Sequence, residues 1–123
     1  MLANKVLDVY DAHLHLATTE RSWATLRRGL PTVDEESLQR AVPTSAGICW
    51  SAVVDGKFHV VLWVDVAKHK TPGGLINTVS HEATHASLMI VEQVEHVAHA
   101  HDEPTAYLVG WLTEWIWRAA TGH

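Results

Sequence analysis

Asp55-Gly56 fixes one piece of this fold more firmly than anything else in the chain. Both residues of a two-residue hairpin turn need positive φ, which Asp and Gly tolerate, and here they stand between two β-branched and aromatic runs, 48–54 and 57–66. The pattern predicts a β-hairpin. Along its second strand Val60, Leu62, Val64 and Val66 fall on one face and Val61, Trp63 and Asp65 on the other. That strand is apolar on nearly both sides and is expected to be covered on both.

The rest of the chain reads as elements that could close around such a hairpin. Over 6–16, Ala12, Leu14 and Leu16 alternate with His13 and His15, which predicts a strand with one buried face. Thr18 or Thr19 is expected to cap a helix over 21–29, where Trp23, Leu26 and Leu30 recur at helical spacing and Gly29 and Pro31 end it. A short helix is expected over 34–41, stopping ahead of Val42-Pro43 because the residue before a proline avoids helical geometry. After a loop over 68–74, the apolar positions Leu75, Val79, Ala83, Ala86, Ile90, Val94 and Val97 repeat every three or four residues, so a long amphipathic helix is expected over 74–98. Pro104 then opens a last helix over 104–119. With 123 residues, 47% apolar and 19% charged, the chain has the size and composition of one globular domain, 1–123. The predicted class is α+β: a small twisted sheet of about three strands, hairpin included, packed on the long helix and the C-terminal helix.

Charge and cysteine usage narrow the partners. The net charge is −5 and the only basic cluster is Arg27-Arg28, so no nucleic acid is expected. Cys49 is the single cysteine, which excludes an intrachain disulfide and fits a reducing cytoplasm. Asp8 and Asp11 interrupt the stretch where a signal peptide would need its apolar run, and no window approaches the roughly 20 apolar residues of a membrane span. The expectation is a cytoplasmic protein with no membrane partner; the sequence leaves its oligomeric state open.

Histidine is the outlier, with ten in the chain and half of them between His81 and His101. His81-Glu82-Ala83-Thr84-His85 puts two imidazoles one helical turn apart, on one face, where both can bind one ion. In zinc hydrolases built on this pattern the glutamate is not a ligand but accepts a proton from zinc-bound water, whose pKa the metal lowers to about 7. A catalytic zinc commonly keeps three protein ligands, so a third is needed. Glu103, at the mouth of the next helix, is the candidate, with His101 and Asp102 as neighbouring competitors.

The segments Ser80-His-Glu-Ala-Thr-His-Ala86 and Glu103-Pro-Thr-Ala-Tyr-Leu-Val-Gly110 resemble the gluzincin group of zinc metallopeptidases, especially its small single-domain minigluzincins, and short homologues carried by tailed phages. The resemblance spans about the last half of the chain and reaches back to the hairpin. It implies a zincin-like fold, Zn2+ held by His81, His85 and Glu103, Glu82 as general base, and a peptide or protein as substrate. Larger gluzincins place an acidic residue about one turn beyond the third ligand, where this chain has Ala106 and Tyr107. Tyr107 shares a helical face with Glu103 and is a candidate donor to the developing oxyanion, although an aromatic on an apolar helix is more often core. Strand 58–66 resembles the edge strand along which zincins lay an extended peptide, a role open to it only if it is an edge. The alternative function is a zinc-stabilised binding or regulatory protein without turnover, phage-encoded and directed at a host protein in the host cytoplasm.

The remaining candidates have plainer readings. His13 and His15 share one strand face, where alternating histidines need no ligand role. His96 and His99 suit the C-terminal end of the long helix, and His59, His69 and His123 show no partner. Leu108, Trp111, Leu112 and Trp115 are read as the face that packs on the long helix, with Ile116 and Trp117 off that stripe as an exposed patch. Cys49 is read as a small buried apolar residue.

Overall fold

The computed structural model describes residues 2–8, 10–30, 43–95 and 103–123. The expected helix over 34–41, the last three positions of the long helix, and His96, His99, His101 and Asp102 lie outside the described residues.

The protein is α+β, as expected, but the described residues form four strands rather than about three. β1 (Leu2–Leu7), β2 (Ala12–Ala17), β3 (Gly47–Val54) and β4 (Lys57–Val64) form one mixed sheet in the order β1-β2-β4-β3. The strand expected over 6–16 is in fact the end of β1 and most of β2, broken by a turn. Asp11, at φ 49°, supplies the left-handed residue, and Tyr10 N–H donates to Leu7 O at 3.1 Å. The β3–β4 hairpin turns at Asp55 (φ 52°) and Gly56 (φ 76°), both positive as the Asp-Gly pair requires.

β4 is central. It pairs parallel with β2 and antiparallel with β3, and its apolar residues pack on both faces of the sheet. The edges among the described strands are β1 and β3, so the strand expected over 58–66 is not an edge. Val66, read as the end of that strand, instead begins a short 3-10 turn, Val66–Lys68.

Three helices of the described residues close the two faces. α1 (Glu20–Gly29) begins at Thr19, whose side chain accepts from Ser22 N–H in a capping box, and lays Trp23 and Leu26 over Ala17, Val61 and Trp63. α2 (Pro72–Glu95) and α3 (Glu103–Thr121) cover the opposite face. There Leu14, Leu16, Val60, Leu62 and Val64 meet Val79, Ala83, Ala86 and Ile90 of α2 and Leu108, Leu112 and Ile116 of α3. Ile116 is therefore core and not an exposed patch, whereas Trp111 is partly exposed and stacks on Trp115. Of the described helices, none is long and apolar enough to cross a membrane.

Candidate metal centre

α2 carries the motif, and its start is held in three ways. Thr71 Oγ1 accepts from Gly74 N–H at 3.0 Å, Pro72 occupies the first helical position, and His69 ties the helix to the preceding turn. Asp65 O, 2.6 Å from His69 Nδ1, can only accept, so Nδ1 carries the proton and Nε2 accepts from the Thr78 hydroxyl at 2.7 Å. His69, which has no visible partner in the sequence, thus fixes Thr78 one turn before Glu82.

Glu82 lies just off the apolar stripe of α2 and is buried against the first residue of β3. The approach is close enough to require glycine: a Cβ on Gly47 would stand 2.8 Å from Thr78 Cγ2 and 2.9 Å from Glu82 Cγ. The Thr78 methyl belongs to a short branched side chain whose hydroxyl is held by His69, and Glu82 Cγ lies in the middle of a buried side chain, so Gly47→Ala must push β3 and α2 apart. We expect a loss of about 1–3 kcal/mol in urea-induced unfolding, the usual cost of overpacking.

His81 and His85 project from the exposed side of the same turn. Their Nε2 atoms are 3.1 Å apart, and Glu82 Oε1 lies 3.8 Å from His81 Nε2. One ligand atom from each of the three residues falls within 4.8 Å of the others, and no other group of three or more His, Cys, Asp or Glu among the described residues does so. Glu82 Oε2 is buried with no hydrogen-bond partner. Burial pushes the Glu82 carboxyl above its ordinary range, an effect partly opposed by His81 and His85. Two imidazole nitrogens facing each other beside a carboxylate with one oxygen unpartnered are a donor set that suits a divalent ion such as zinc.

The structure does not bring Glu103 to this group. Glu103 is exposed at the head of α3, and α2 runs ten residues beyond His85 before it ends, about 15 Å at the helical rise per residue. Nor does it place Tyr107 there or in the core. Tyr107 is 77% exposed and, with Leu7, Tyr10, Leu108 and Trp111, lines a groove of about 250 Å³ beside the β1–β2 turn.

Beneath the motif, Cys49 of β3 is half-buried with its Sγ 3.8 Å from Met89 Sδ. Burial pushes the thiol up to about 12, and the charge of nearby Glu82 adds to the shift. Cys49 should therefore react with a thiol reagent at pH 8 slower by roughly a hundredfold or more in the native protein than in denaturant. Equal rates would place the thiol in solvent. Sequence reasoning missed the parts played by Gly47, Thr78 and His69, because each depends on the packing of α2 against β3 and the turn after β4.

No protein family, curated protein or solved structure matches the chain.

Proposed function

We propose that this protein is a zinc-dependent peptidase-like hydrolase of the gluzincin type, with His81 and His85 holding the ion and Glu82 as general base. The observation that carries the proposal is the Glu82 carboxylate, its Oε2 buried without a hydrogen-bond partner, beside two imidazoles whose Nε2 atoms are 3.1 Å apart. Burying a carboxylate oxygen without a partner is costly, and a site that uses the group chemically gives a reason to retain it.

When bound, zinc supplies Lewis-acid polarisation of the scissile carbonyl and lowers the pKa of water. The protein's own residues supply the rest. His81 and His85 bind as neutral imidazoles, one turn apart on a helix held rigid by its packing. Glu82 takes the proton of the attacking water, and its raised proton affinity suits it to keep that proton and pass it to the leaving amine. β3, the edge strand beside α2, offers backbone groups on which an extended peptide can pair. The resemblance implies Glu103 as the third ligand, although it stands apart from His81 and His85 in the structure. Tyr107 is given no role.

Metal analysis tests the reading. Relative to the parent, His81→Ala and Glu103→Ala should each lose about one zinc per chain. Zinc retained in Glu103→Ala assigns the third position to another group, and no zinc in the parent after reconstitution overturns the proposal. The separation of Glu103 from the histidines favours one rival, a zinc-stabilised binding protein without turnover, in which Glu82 is dispensable.

A further inference from the structure

The outer face of the sheet, opposite α2 and α3, carries a second histidine cluster that the peptidase reading does not use. Its origin is strand register. The parallel pairing of β2 with β4 sets His13 opposite His59, and the antiparallel pairing of β1 with β2 sets Asn4 opposite His15. All four side chains project to the face that α1 covers only at its Ala17 and Trp63 end. His15 Nε2 lies 2.9 Å from His59 Nδ1, His15 Nδ1 lies 2.8 Å from Asn4 Oδ1, and the His13 and His59 ring centroids are 4.9 Å apart.

We propose that His13, His15 and His59, with Asn4 orienting His15, form a second metal site that takes a late first-row divalent ion such as zinc. Asn4 Oδ1 can only accept, so the His15 proton sits on Nδ1 and its Nε2 lone pair is aimed at His59. A carbonyl oxygen that holds the far nitrogen of an imidazole is the usual support of a metal-binding histidine, since it fixes both tautomer and ring direction. His59 Nδ1 accordingly donates to His15 Nε2 at 2.9 Å, and an ion that displaces this proton to His59 Nε2 finds the two nitrogens at a spacing it can bridge. The His13 ring, tilted 31° over His59, supplies the third by rotation about its side-chain torsions.

The chemistry of the set selects the ion. Three imidazoles with no carboxylate favour zinc, copper(II) or nickel(II) over magnesium or calcium. Burial holds His15 down to about 4 and lowers His59 as well, with the neighbouring histidines adding to both and Lys57 to His59. The shift favours the neutral form of His15 and His59, the form that binds metal. Two strands of one sheet hold the ligands, which gives less freedom than a loop.

Zinc titration of the His81→Ala/His85→Ala double variant isolates this site from the first, so its result stands whatever becomes of the peptidase proposal. Calorimetry should show about one zinc per chain that survives desalting and that excess magnesium does not displace. Adding His59→Gln should abolish it. Asn4→Ala should weaken it by about 10- to 100-fold with unchanged stoichiometry, as loss of an orienting partner does. If the double variant does not fold, the parent serves: a stoichiometry of about two should drop to about one in His59→Gln. A folded double variant that retains no zinc, or a zinc stoichiometry unmoved by His59→Gln, overturns the proposal.

Discussion

Glu82→Gln is expected to keep the zinc content of the parent and to lower hydrolysis of a cleavable peptide by about 10²- to 10⁴-fold, the usual contribution of a positioned general base. Gln matches the shape of Glu and leaves His81 and His85 in place, but it cannot accept the proton. The same substitution should not destabilise the metal-free fold. Burial raises the Glu82 carboxyl above its ordinary value of 4.5, so the native state holds that proton more tightly than the unfolded chain. Its contribution to stability is full below 4.5 and is lost as pH rises through the raised value, which means that at neutral pH the ionised, buried group weakens the fold. Gln removes that charge. A variant as stable as its parent, zinc-loaded and inactive would assign Glu82 to chemistry. A variant with undiminished hydrolysis would leave the metal a structural role.

Trp63→Ala should cost about 3–5 kcal/mol in urea unfolding, a large part of the roughly 5–15 kcal/mol that holds a domain together. Trp63 is the largest fully buried side chain, and its ring meets Trp23 edge to face at a centroid distance of 5.8 Å, joining α1 to the sheet. Its Nε1–H donates to Ser45 O at 3.2 Å, two residues before the glycine that lets β3 approach Glu82. Truncation therefore opens a cavity under α1 and frees the segment that sets the entry of β3. Metal affinity should fall along with stability. A loss below about 1 kcal/mol would mean that α1 is not docked on this ring.

The parts of the fold readable in the sequence were those that local chemistry dictates. Asp55-Gly56 determined the hairpin because few residues accept positive φ at two adjacent positions, and the structure turns at that pair, with the second strand ending at Val64 rather than Val66. Thr19 and the spacing of Trp23 and Leu26 determined α1, and the three-and-four repeat from Leu75 to Ile90 determined the long helix with its His81–Glu82–His85 group. β1 was legible only in part: Lys5 and Asn4 interrupt any apolar run, and the turn at Asp8–Asp11 carries no Gly or Pro to mark it.

What remained was decided by partners distant in the sequence. Whether β4 is an edge or a centre depends on which strand lies beside it, and its apolar faces were compatible with either. Glu103 sits in a helix whose position against His85 is fixed by the length of α2 and by the packing of Leu108, Leu112 and Ile116, not by the eighteen residues of spacing. His59 shows no partner along the chain, yet the β2–β4 register sets it beside His13 and His15. Periodicity and turn chemistry act over a few residues and can be read from them. Strand order and register come from the burial of whole faces, so the neighbours they create appear only once the tertiary structure has formed.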